Sequence, residues 1–138
     1  FMEMQGTKVV CGSTTAEMVA KNLGKKIDMQ AVSDAYHNPP AYTIDGIDFT
    51  TEGAITLNQL YNILDEAPER LEPHSSVSKL YRIFHASDTV NFIVGSAVNP
   101  GHQNIVFRQM GVFPREIIVT LLAEKLKKLG KLVNIEYV

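Results

Sequence analysis

The chain has 138 residues, 45% of them hydrophobic and 20% charged, which is the length and apolar content of one domain with a core and excludes intrinsic disorder. Thirteen Lys and Arg against fifteen Asp and Glu give a formal net charge of -2, so no general field draws the protein to nucleic acid or anionic lipid. Apolar runs such as Ile117-Ile118-Val119-Thr120-Leu121-Leu122-Ala123 fall far short of the roughly 20 residues that span a bilayer, which argues against a membrane partner.

Lys8-Val9-Val10-Cys11 predicts a short strand ending at Gly12. A helix should follow, with Ala16, Met18, Val19, Ala20 and Leu23 as its apolar stripe, Thr14 and Glu17 as a capping box and Gly24 as its stop. The first six residues are expected to form a flexible start, and the opening on Phe1 suggests a fragment of something longer. Asn38-Pro39-Pro40 breaks regular structure, so residues 25–46 are expected to be mainly loop, with Ala41 to Ile44 either a short strand or extended loop. Ile47-Asp48-Phe49-Thr50 predicts a second strand, and Leu57, Leu60, Tyr61 and Leu64 mark a helix over about 57–66 with Thr56 and Gln59 as its capping box.

After the polar stretch Pro68 to Pro73, Ser75 or Ser76 can cap a helix carrying Val77, Leu80, Tyr81, Phe84 and His85 at helical spacing. Thr89-Val90-Asn91-Phe92-Ile93-Val94 is the most strand-like segment, and the Gly-, Pro- and Asn-rich stretch from Ser96 to Gly111 reads as a long functional loop. Pro114, Glu116 and the Lys125, Lys127, Lys128 cluster before Gly130 all match the dipole of a helix, the lysines as a solvated end. Alternation from Lys131 to Val138 predicts a last strand near a sheet edge. Strands alternating with helices imply a single α/β domain over 1–138: a mostly parallel sheet of about four or five strands with helices on its faces, in Rossmann-like layering.

In such a fold ligands bind beyond the carboxyl ends of the strands. Three turns should therefore converge on one rim. Gly12, Ser13, Thr14 and Thr15 offer unpaired helix amides and hydroxyls, an anion cradle; the same residues can equally serve only as a helix cap. The cradle is neither a Walker A loop nor a dinucleotide fingerprint. Glu52 and Gly53 hold the matching position after the second strand, where a carboxylate can accept ligand hydroxyls or simply favour the helix dipole. Asn99, His102, Gln103 and Asn104 bring amide and imidazole groups suited to recognition of a small polar molecule, or to satisfying their own loop.

A lone Cys11 at a strand end reads as a small buried hydrophobe, and its lack of a partner, with no signal-peptide layout, points to a reducing, cytoplasmic setting. His37, His74, His85 and His102 are too scattered for a metal site; His85 reads as a packing residue and His102 as the histidine to test for ligand contact.

Three strings, Lys8-Val9-Val10-Cys11-Gly12-Ser13-Thr14-Thr15-Ala16, Ile47 to Leu57, and Val94-Gly95-Ser96-Ala97-Val98-Asn99-Pro100-Gly101-His102-Gln103-Asn104, taken in that order, resemble the carboxyl-terminal region of bacterial SpoIIE-type (PPM-family) serine/threonine phosphatases. The likeness runs from about Gly6 to the end, although the first loop there more usually reads Gly-Gly-Thr-Thr-Ala-Asn, where this chain has Ser13 and Glu17. It implies a non-catalytic fragment of a longer protein, attached to or partnered with a catalytic domain whose metal ions are held by aspartates this chain does not carry; Asp45-Gly46 is its single Asp-Gly. The expected function is thus a ligand-binding or regulatory domain that needs no cofactor of its own and takes a small anionic or phosphorylated ligand. Two other readings stand beside it: an enzyme on sugar phosphates or nucleotides using Glu52 or His102 as acid or base, and a structural homodimerisation module.

Overall fold

The computed structural model describes residues 1–29, 39–97 and 105–138. In chain order these form β1 (Val9–Cys11), α1 (Ser13–Leu23), β2 (Ile27–Met29), β3 (Ala41–Ile44), β4 (Phe49–Thr51), α2 (Ala54–Ile63), a 3-10 turn (Pro68–Arg70), α3 (Ser76–Ala86), β5 (Thr89–Val94), α4 (Ile105–Gln109), α5 (Arg115–Lys128) and β6 (Leu132–Tyr137).

The class is α/β, but the expected mostly parallel sheet is not what forms. One sheet has the order β1-β4-β3-β2, in which only β1 and β4 run parallel; β5 and β6 make a separate parallel pair. The reason lies in connection length. A parallel neighbour needs a crossover of about a dozen residues or more. Only Asp45 to Asp48 separate β3 from β4, with Gly46 at φ 94° making the reversal, so these strands can only pair antiparallel, Ala41 opposite Thr51. Of the described residues in the segment expected to be mainly loop, Ile27–Met29 and Ala41–Ile44 are strands, the latter one of the two alternatives for that stretch, and the second strand begins at Phe49 rather than Ile47. Pro39 and Pro40 are anchored rather than loose: Pro39 is fully buried and its carbonyl accepts the Ser76 hydroxyl at 2.8 Å, while the Pro40 carbonyl accepts the Glu52 amide at 3.0 Å.

Alternation along β1 assigns the two faces of this sheet. Val9 and Cys11 point, with Ala41 and Phe49, to a large core made by Leu57, Leu60 and Leu64, Val77, Leu80 and Phe84, and Ile118, Leu122 and Leu126. Val10 and Ile44 point the other way, to a small cluster with Ala16 and Ala20 of α1. Of the stripe read from α3, Val77, Leu80, Tyr81 and Phe84 are buried and His85 is not; α5 buries Ile118, Val119, Leu122, Ala123 and Leu126. Val90 and Val94 of β5 and Val133 of β6 close the far side of the same core.

Two polar clamps join the helices. Buried Asn58 on α2 donates through Nδ2 to the Phe113 carbonyl and accepts the Phe113 amide through Oδ1, each at 2.9 Å, fixing the entry to α5. Lys125 is not the solvated end its cluster suggested: its ammonium donates to the Tyr61 carbonyl at 2.6 Å, pairs with Asp65 at 3.1 Å and lies 4.4 Å from the Tyr61 ring centroid. That pairing also holds the Asp65 carboxyl below the usual carboxylate range. His85 is exposed yet tethered, with Nε2–H donating to the Leu64 carbonyl at 2.8 Å and its ring 4.1 Å from that of Tyr81.

Candidate functional site

Because β1 and β4 are parallel neighbours with Cys11 opposite Thr51, they end at one edge, and α1 and α2 start there side by side. Gly12 leaves the strand at φ 117°, a conformation that side chains strongly disfavour, and donates its amide to the Thr51 carbonyl at 2.8 Å. The second turn presses against the first so closely that a methyl group on Gly53 would lie 3.2 Å from the Gly12 Cα. Gly53 is there because backbone meets backbone, Gly12 because its φ excludes a side chain.

The sharp turn starts α1 at Ser13, two residues earlier than a Thr14 cap would require, and makes Gly12 its N-cap; no side chain among the described residues caps this helix. Its first internal bond runs from the Ala16 amide to the Gly12 carbonyl at 2.8 Å, so the amides of Ser13, Thr14 and Thr15 point out along the axis. Ser13 and Thr14 are exposed, Thr15 half-buried. In α2 the expected Thr56 cap is also displaced, since the helix begins at Ala54 and Thr56 is buried inside it. Glu52 takes the capping role: its Oε2 accepts the Thr56 amide at 3.1 Å and the Thr56 hydroxyl at 3.4 Å. Its Oε1 has no hydrogen-bond partner among the described residues.

The carboxylate of Glu52 sets the local electrostatics. Burial, then Glu52, pushes the Cys11 thiol up to about 12, so it stays protonated and does not act as a nucleophile at neutral pH. Tyr42 is pushed up in the same way, by burial first and then by Glu52 and Glu17. Among the described residues no carboxylate or imidazole hydrogen-bonds to Ser13, Thr14 or Thr15, and no group of three His, Cys, Asp or Glu could hold a metal ion. Among the described residues the arrangement sets outward amide donors beside one open carboxylate oxygen, groups that can hold a ligand through hydrogen bonds.

Of the residues expected at the rim, the structure brings together Gly12, Ser13, Thr14, Thr15, Glu52 and Gly53. Asn99, His102, Gln103 and Asn104 lie outside the described residues, as does His37. The chain leading toward that third loop is held at Ser96, whose amide donates to the Val138 carbonyl at 2.9 Å.

A second concavity, which the sequence reading did not anticipate, lies where the β3–β4 hairpin meets the start of α3. It encloses about 430 Å³ between Ile47, Asp48 and Phe49 on one wall and His74, Lys79 and Arg82 on the other. The ammonium of Lys79 lies 4.7 Å from the Phe49 ring centroid. Lys79 and Arg82, one turn apart on α3, were the available signal, but nothing in the sequence brings residues 74–82 to residues 47–49.

Comparison with known proteins finds no match to a family model, to a curated protein or to a solved structure.

Proposed function

We propose that this domain is a ligand-binding, non-catalytic regulatory unit of a SpoIIE-like serine/threonine phosphatase, and that its ligand is a small anion bearing hydroxyl groups. The observation that carries the reading is the uncapped start of α1: three outward amides, with the Ser13 and Thr14 hydroxyls exposed beside them, are a ready anion cradle. Glu52 would oppose a bare anion placed against it, but its open Oε1 can accept a hydroxyl from the body of the same ligand, so the pair of turns favours a phosphorylated polyol over inorganic phosphate. Its other oxygen is committed to the start of α2, which favours a binding role over an acid–base one. The regulatory assignment leans on the likeness of the three strings to the phosphatase family. A cytoplasmic setting belongs to the same reading; what the described residues establish is that no helix is long and apolar enough to cross a membrane.

Ribose 5-phosphate is a suitable probe, read as a rise in melting temperature. Thr14→Asp separates binding from folding, because a carboxylate in the first turn favours the helix dipole by roughly 0.3–1 kcal/mol while repelling an anion from the same place. The expected result is a ligand-induced rise in the parent protein that vanishes in a well-folded Thr14→Asp variant. An undiminished rise in the variant, or none in the parent protein, would overturn the reading.

A further inference from the structure

The cleft between the β3–β4 hairpin and α3 uses none of the residues assigned to the rim, and its chemistry is different. Its volume of about 430 Å³ falls in the range of small-molecule sites, and its floor is part apolar, from Ile47 and Phe49. Two permanent cations line it, Lys79 and Arg82, and neither forms an ion pair with a carboxylate among the described residues. One Arg82 nitrogen is anchored by donating to the Pro73 carbonyl at 3.2 Å, and its other N–H groups have no hydrogen-bond partner among the described residues. The Lys79 ammonium makes no hydrogen bond among the described residues and lies over the Phe49 ring. The single carboxylate of the lining, Asp48, is occupied on one oxygen by the Lys8 amide at 2.6 Å. Positive charge therefore exceeds negative in the lining, two cations against one carboxylate, and the His74 ring adds one more polar group. On a protein of formal net charge -2 this is a local reversal of sign.

We propose that this cleft binds a small organic phosphate monoester, its phosphate between Lys79 and Arg82 and its apolar body against Phe49 and Ile47. A phosphate fits this donor set better than a carboxylate because it brings three acceptor oxygens to two separate cations. The body matters as well as the charge, since half-buried Ile47 and the small exposed part of Phe49 give the cleft apolar surface that inorganic phosphate would leave empty.

The test is an amide-resolved NMR titration of the whole chain with phenyl phosphate, inorganic phosphate and phenol, each to about 10 mM. Expected are saturable shifts with phenyl phosphate at Phe49 and from Ser75 to Arg82, weaker binding of inorganic phosphate, and none of phenol. Lys79→Gln and Arg82→Gln, both exposed changes, should each weaken phenyl phosphate about tenfold, and Lys79→Arg should retain it. Thr14→Asp should leave it unaltered, so failure of the rim reading and failure of this one are told apart. Shifts confined to Gly12 to Thr15, equal affinity for inorganic phosphate, no saturation in the parent protein, unweakened binding in both glutamine variants, or binding of a phosphoserine peptide but not phenyl phosphate would each overturn the assignment.

Discussion

Replacing Gly53 with alanine places a methyl carbon 3.2 Å from the Gly12 Cα and 3.6 Å from the Gly12 nitrogen. Neither atom belongs to a side chain that could rotate away. The Gly12 amide is bonded to the Thr51 carbonyl at 2.8 Å, so opening the gap means stretching that bond or tilting α1 off the sheet. Overpacking of this kind costs about 1–3 kcal/mol. The methyl also narrows the unfolded ensemble, which returns about 0.4–1 kcal/mol, and the net expectation is a loss of about 1–2 kcal/mol. For a chain of this length that corresponds to a melting temperature lower by about 3–6 °C. Equilibrium urea unfolding followed by circular dichroism measures the difference, with Gly95→Ala as the control, since a methyl on Gly95 meets nothing within 4 Å. A Gly53→Ala variant as stable as the parent, or one no worse than Gly95→Ala, would refute the close contact of the two turns and the shared rim built on it.

Asn58→Ala should lower the unfolding free energy by about 1–3 kcal/mol, since it strands both the amide and the carbonyl of Phe113 in a part-buried place; a loss below about 0.5 kcal/mol in the same urea experiment would contradict the clamp. Ser75→Ala removes the oxygen that accepts the Ser78 amide at 3.0 Å at the start of α3 and should cost about 1 kcal/mol, checked by the same unfolding curves. Cys11 should resist iodoacetamide at pH 8 in the folded protein and react once urea unfolds it. Its thiol rises from an ordinary 9.0 to about 12 on folding, so the folded state keeps a proton that the unfolded chain gives up. That contribution is intact below pH 9 and is lost as pH climbs toward 12, by about 1.4 kcal/mol per unit; Cys11→Ala should flatten that part of the stability profile, and an unchanged slope would sink the attribution.

The helices were readable wherever one face carries the whole burial signal. In α3, Val77, Leu80, Tyr81 and Phe84 recur at helical spacing because that face alone meets the core. Strand direction was not readable. Phe49, Thr50 and Thr51 are all buried, so no alternation betrays which neighbour they pair with, and Pro39-Pro40 looked like a breaker although tertiary bonds to Ser76 and Glu52 hold it beside the sheet. At the rim the turn residues were legible from Gly12 and the hydroxyl cluster, but their caps were not, because Gly12 starts α1 early and Glu52 reaches forward to α2. The cleft and the Asn58 clamp join segments far apart in the chain, and local periodicity says nothing about partners at such separation.

The thin layer beneath α1 has a consequence for the turn that begins it. Only Ala16 and Ala20 of this helix are fully buried, against a small patch with Val10 and Ile44, whereas α2, α3 and α5 share leucines and a phenylalanine. Two methyl groups and the half-buried Val19 anchor less than that, so α1 is expected to open locally before the molecule unfolds as a whole. An occupant of the cradle would be gripping a lightly fastened helix, and its arrival would register first as slowed deuterium uptake along residues 13–23.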